Sequence, residues 1–229
     1  MATSDRHPSR GVQTKNRRKF LQVAGAAGAV AGTTGMLGSL PAQAQAVGYQ
    51  TLAKPTPTRD PSRVEVLEFF WFGCPHCYRF EPTINEWAAS RPDYVDFVRE
   101  APPFNQGWEN HSRTFYAAEA LGITDGMFDE MFHEIHEKRQ AMRSPDAVAK
   151  FIDKLDLGVT GDEFKKAMTS FSVETGMRRG MSLARDAQVS GVPSVLINGK
   201  FMTSASLAGG NDGMIRVINQ LIEQEHEAS

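Results

Sequence analysis

Seven apolar residues and two glutamates fill positions 64–72 (Val-Glu-Val-Leu-Glu-Phe-Phe-Trp-Phe). So dense an apolar run, rich in β-branched and aromatic residues, predicts a buried strand. A helix is expected from about Pro75 to Ser90, because proline is favoured at the first helical position. Tyr94 to Arg99 reads as a second strand, closed by Pro102-Pro103, and the resulting βαβ unit should have a right-handed crossover. From Trp108 to about Val189 the periodicity becomes helical. Trp108, His111, Phe115, Ala118 and Leu121 share a face ahead of Gly122, and Met127, Met131 and Ile135 mark another helix. Ser144-Pro145 opens a third, with Val148, Phe151, Ile152 and Leu155 inside and Gly158 as its stop. Thr160 to Glu163 is a capping box, and residues 174–187 give one more helix. Strand patterns return at Ser194–Ile197 and Lys200–Thr203 around Asn198-Gly199, a strong two-residue hairpin signal. A final amphipathic helix carries Ile215, Ile218 and Ile222.

With residues 107–187 set aside, the remainder reads β-α-β-β-β-α, and 47–63 offers a short edge strand before a Pro-rich connection. The expected class is α/β, a small mixed sheet interrupted by an all-helical insertion. Four stretches follow: 1–46 as a leader, 47–106 as the first part of the sheet domain, 107–187 as the insertion, and 188–229 as the second part.

Charge is distributed unevenly. Residues 1–44 hold six Lys/Arg and one acid, net +5, which leaves net −7 on residues 45–229. Basic charge confined to one terminus of an acidic body argues against nucleic acid as a partner. That segment has the order of an export signal: a basic region ending Asn16-Arg17-Arg18-Lys19-Phe20-Leu21-Gln22, a mildly apolar Ala/Gly stretch, then Pro41-Ala42-Gln43-Ala44-Gln45-Ala46 with two small-x-small cleavage sites. The paired arginines before Phe-Leu resemble a twin-arginine (Tat) leader, although Asn16 and Gln22 depart from that pattern; general secretory (Sec) export is the alternative. Five glycines between Gly25 and Gly38 weaken a permanent membrane anchor. Either route delivers the chain to an oxidising compartment.

Cys74 and Cys77 are the only cysteines in 229 residues. At i and i+3 in a first helical turn they can form a disulfide without backbone movement. Cys74 is expected at the N-cap, exposed, with free N–H groups directed at its sulfur; Cys77 is expected one turn in, facing inwards. Unsatisfied N–H donors and the helix dipole favour the thiolate there. A disulfide spanning three residues would constrain the unfolded chain little, zinc would want four ligands, and a Cys-His copper site is a further alternative. A redox dithiol on a βαβ pattern is the expected reading.

Cys74-Pro75-His76-Cys77, between Leu67-Glu68-Phe69-Phe70 and Tyr78-Arg79-Phe80-Glu81, resembles the active site of the DsbA-type periplasmic thiol:disulfide oxidoreductases, which have a thioredoxin-like fold. Gly191-Val192-Pro193-Ser194, with Asn198-Gly199-Lys200, is similar to that family's cis-proline loop, and the helical insertion between the two motifs is also a family feature. The resemblance spans about residues 47–226. It implies that Cys74, Cys77, His76 and Pro75 form the catalytic motif. It also implies that Val192 and Pro193 bind substrate backbone, and that a DsbB-type membrane quinone reductase reoxidises the enzyme. No metal or organic cofactor is implied, and a monomer is expected.

A helix terminus supplies about 0.3–2 kcal/mol, while each pKa unit is worth about 1.4 kcal/mol. His76 and direct N–H bonds must therefore supply the rest of the thiolate's stabilisation, which makes His76 the expected tuning residue. Glu68 shares a strand face with Val64, Val66, Phe70 and Phe72, where a carboxylate is costly without a partner or a task. Glu81 lies four residues after Cys77 on one helix face. Both are candidates for handling the Cys77 proton, against the plainer reading of half-buried, bonded acids. Trp71, Phe72 and Phe104 are expected to border a peptide groove. Met127, Met131, Met142, Met168, Met177 and Met181 are read as core in preference to an adaptable binding surface. The substrates implied are reduced, unfolded or folding exported proteins. Two rivals stay open: a reductase or isomerase of the same fold, and a peptide-binding chaperone with an incidental disulfide.

Overall fold

A computed structural model describes residues 48–228; the leader expected at 1–46 lies outside the described residues. Five strands form one mixed sheet: β1 (Tyr49–Thr51), β2 (Val64–Phe69), β3 (Val95–Glu100), β4 (Ser194–Ile197) and β5 (Phe201–Ser204), in the order β1-β5-β4-β2-β3. Only β2 and β3 run parallel, joined across α1 (Pro75–Ala89); the other pairs are antiparallel. The β4–β5 hairpin turns at Asn198 and Gly199, with φ +48° and +65°. Two successive positive φ values are what an Asn-Gly turn supplies.

Every residue of β2 is buried, as befits a central strand covered on both faces. Val64 and Val66 pack towards α1 and α8 (Asn211–Glu227), while Leu67 and Phe69 pack with Leu196, Met202, Ala184 and Ala187. The ladder ends at Phe69, three residues earlier than the apolar run. Phe70 still donates its N–H to Glu100 O at 3.1 Å, but its ring and that of Phe72 leave the sheet for another core.

That core belongs to five consecutive helices between β3 and β4: α2 (Gln106–Leu121), α3 (Thr124–His136), α4 (Pro145–Ile152), α5 (Gly161–Ala167) and α6 (Phe171–Asp186). Their ends carry the local chemistry read in the sequence: Gly122 closes α2 at φ +69°, Ser144 caps α4, and Thr160 and Glu163 form a reciprocal capping box on α5. Helix α6 begins at Phe171 under a Ser170 cap, three residues before the periodicity starts, and a short α7 (Ala205–Ala208) was not anticipated. Five of the six insertion methionines are buried, which settles them as packing residues; Met181 is half-buried. Phe70, Phe72, Cys74 and Cys77 join this helical core rather than the sheet cores.

Candidate active site

Cys74 is the N-cap of α1, with extended backbone (φ −87°, ψ 116°), and Pro75 follows at N1. The geometry is local: proline presets φ and gives up an N–H that has no helical partner there. The Cys77 N–H points at Cys74 Sγ at 3.4 Å, and both cysteines are free thiols. Cys77 is fully enclosed. Cys74, expected to be exposed, is only 7% exposed. Val192, far along the chain, covers it, with its carbonyl oxygen 3.5 Å from Sγ, where the protonated thiol donates to it, and locally Trp71 folds over Gly73 immediately before it. The Val192–Pro193 peptide is cis. Cys74 nonetheless borders an open groove of about 450 Å³ with Trp71, Phe104, Trp108 and Val192. Trp71 stacks on Trp108 with centroids 4.4 Å apart and planes 3° from parallel. Phe72, expected at this groove, is instead fully buried against Phe70, Phe128 and Phe132, because the chain turns inward past the end of the ladder.

The two thiols are driven apart. A hydrogen bond from Cys77 leads in pulling the Cys74 thiol down to about 6; burial opposes it, and the backbone N–H groups of Cys77 and His76 and then the His76 ring add to it. Burial leads in pushing Cys77 far up, followed by its bond to Cys74, the Cys74 charge and the Glu68 charge. His76 is exposed and accepts from Arg79 Nη2 at 2.8 Å through Nδ1. A guanidinium only donates, so the ring proton of the neutral imidazole lies on Nε2.

Below the dithiol lies a charged cluster. Glu68 is fully buried and Glu81 nearly so. Between them sits Arg99, the ladder partner of Glu68, bonded to Glu68 Oε2 at 3.0 Å, Glu81 Oε1 at 2.5 Å and Asn85 Oδ1 at 2.7 Å. The guanidinium also covers the Phe128 ring at 4.3 Å. Burial raises the Glu68 carboxyl against the opposing Arg99 charge. Burial, then the Glu68 charge, lifts Glu81 to about 8 despite Arg99. Oε1 of Glu68 and Oε2 of Glu81 have no hydrogen-bond partner, and Glu81 walls an open groove of about 780 Å³ between α1 and α3.

Two contributors were absent from the sequence reading. Arg99 reads as the polar end of a strand; the parallel register places it opposite Glu68, and an acid in an apolar run is the signal that a buried cation faces it. His136, at the end of α3, contacts Phe72 O through Nε2 at 2.8 Å and stacks on Tyr78 at 4.7 Å. It thereby braces both flanks of the Cys-Pro-His-Cys segment, and nothing in its local sequence marks it.

A dithiol at the start of a helix, facing a cis-proline on a β1-β5-β4-β2-β3 sheet, defines the thioredoxin-like class. Within that class, the model of the DSBA-like thioredoxin domain matches residues 65–216. The thiol:disulfide interchange protein DsbA of Azotobacter vinelandii is 38% identical over 184 residues, covering 80% of this chain and 85% of the relative. The protein of the same name from Pseudomonas aeruginosa strain PAO1 is 35% identical over 181 residues, 79% of this chain and 85% of that one. The crystal structure of Pseudomonas aeruginosa DsbA superposes with a TM-score of 0.74 at 35% identity, covering 79% of this chain and 93% of that one. The chain belongs to the DSBA-like thioredoxin domain family.

Proposed function

We propose that this protein is an exported thiol:disulfide oxidoreductase that donates a Cys74–Cys77 disulfide to newly translocated proteins in the periplasm. One observation carries the reading: in a chain of this family, Cys74 caps α1 with the Cys77 N–H at its sulfur and Val192, of the cis Val192–Pro193 peptide, against it, an arrangement that holds its thiol low beside a partner held high. A substrate thiolate attacks Sγ of Cys74, the Cys74–Cys77 bond breaks, and the departing Cys77 sulfur takes up a proton. A second substrate thiolate then attacks the substrate sulfur of the mixed disulfide, and Cys74 leaves as a stabilised thiolate. The substrate dithiol loses two electrons and the enzyme disulfide gains them.

In this reading Cys74 is the nucleophile-accepting sulfur and Cys77 the buried leaving group, with Pro75 presetting the turn and His76 tuning Cys74. The backbone of Val192, before Pro193, pairs with extended substrate. Glu68 and Glu81, bridged by Arg99, handle the Cys77 proton. Residues 47–106 and 188–229 form the thioredoxin-like domain, 107–187 the inserted helical domain, and 1–46 a leader removed on Tat or Sec export. A monomeric enzyme is reoxidised by a DsbB-type membrane quinone reductase. Among the described residues no helix is long and apolar enough to cross a membrane.

Oxidation of a reduced model protein tests the reading. Wild type should form its disulfides stoichiometrically and Cys74→Ser should form none; full activity in Cys74→Ser would end the proposal. Insulin reduction, scored in parallel, distinguishes a reductase.

A further inference from the structure

We propose that Arg79 makes the groove beside the cis-proline a subsite for an acidic residue flanking the substrate cysteine, a refinement that rests on the dithiol reading above. Two grooves meet at Gly191 and Val192. The one of about 450 Å³ that holds Cys74 is aromatic. The other, about 320 Å³, lies along Val192–Pro193 and is walled by His76, Arg79, Ser194, Ser204, Ser206 and Asn211, with no carboxylate in its lining.

Arg79 is exposed and carries the one permanent charge in that lining. Among the described residues it forms no ion pair; its side chain bonds only His76 Nδ1, at 2.8 Å. A guanidinium has five N–H donors, so most of its hydrogen-bonding capacity is unspent. His76, which also lines this groove, accepts from Arg79 through Nδ1, so its ring proton sits on Nε2. The neighbouring Ser194 hydroxyl is spent on Gly191 O, Ser204 and Ser206 bond each other, and the Asn211 amide donates to Arg79 O, so the guanidinium is the main donor left for a carboxylate, while a lysine there meets a like charge. Acids do lie near Arg79, but Glu81, Asp129 and Glu130 line the separate groove between α1 and α3 that Arg79 also borders. A bound peptide lying extended across Val192 advances about 3.3 Å per residue with side chains alternating in direction. A residue one or two places from the bonded cysteine therefore reaches the Arg79 groove.

The test is single-turnover oxidation, by the oxidised full-length mature protein, of equal-length two-cysteine peptides carrying Asp or Lys beside the attacking cysteine, on either side. The readout is the Asp/Lys rate ratio within each variant, which cancels any uniform change in Cys74 reactivity. At low ionic strength wild type should favour Asp by about fivefold, the upper range for a solvent-exposed pair. The ratio should fall towards one in 1 M salt, where the Debye length is about 3 Å, and in Arg79→Ala, and should invert in Arg79→Glu. Equal rates in wild type, or a preference that survives Arg79→Ala, overturn the subsite while leaving the oxidase reading intact. Failure to oxidise any peptide overturns both.

Discussion

Replacing Glu81 by Gln removes one titrating group from the cluster beneath the dithiol while keeping an oxygen to accept from Arg99 Nη2, now 2.5 Å from Oε1. Glu81 is 5% exposed, so solvent screens it little. Its carboxyl ordinarily titrates at 4.5, and in the fold burial and the Glu68 charge lift it to about 8. The folded state thus keeps a proton that the unfolded chain releases near 4.5. Stability of this origin is fully present below that value and is lost as pH rises towards about 8, at about 1.4 kcal/mol per pH unit. By pH 7 the loss spans about 2.5 pH units, on the order of 3 kcal/mol. Glu81→Gln cannot lose it. The variant should match wild type near pH 4.5 and become progressively more stable than it up to pH 8, then hold a constant lead. Urea unfolding of the reduced proteins, followed by far-ultraviolet circular dichroism at pH 5, 6, 7 and 8, measures this directly. A difference that does not change between pH 5 and 8, or a wild type that is the more stable at pH 8, would refute the reasoning. If Glu81 also relays the Cys77 proton, the same variant should shift the pH profile of substrate oxidation.

His76→Leu should raise the Cys74 pKa and lower the reduction potential, by at most about 30 mV at pH 7, because only about one unit of the shift lies below that pH; an unchanged potential and thiolate titration would remove His76 from the tuning. Cys77→Ser should accumulate mixed disulfides through Cys74, visible on non-reducing gels, and their absence would reverse the assigned roles. Gly180→Ala would place a Cβ 2.1 Å from the Tyr116 hydroxyl, which bonds Glu100 at 2.6 Å where α2 and α6 meet β3. It should cost about 1–3 kcal/mol, and a Tm within 1 °C of wild type would show that the slot is looser than it looks.

What the sequence made legible was mostly chemistry confined to a few neighbouring residues. The Asn-Gly hairpin, the Thr160–Glu163 box, the Ser144 cap and the Cys-Pro-His-Cys turn each depend on backbone conformation or capping within a few neighbouring residues, and each formed as read. Glu68 was conspicuous for the same reason, as an acid in an apolar run. Its partner was not, because Arg99 faces Glu68 through a parallel register that no one-dimensional pattern contains. The burial of Cys74 failed to show for a related reason: Val192, which covers it, is 118 residues away. Phe72 misled because period-two alternation was carried past Phe70, whose N–H still bonds β3 at Glu100 before the chain turns into the helical core. The roles of His136 and Trp108 likewise arise only where the insertion folds back on the motif.

The central claim is that at neutral pH Cys74 is a thiolate while Cys77 is not, which makes Cys74 the stable leaving group of the final exchange. Thiolate absorbance near 240 nm, titrated in the reduced protein against a Cys74→Ser control, tests it most directly. One thiolate per molecule should appear with a midpoint near 6, and the second thiol should stay protonated throughout the range in which the fold persists. Two thiols titrating together near 9, or no thiolate below pH 8, would contradict the account.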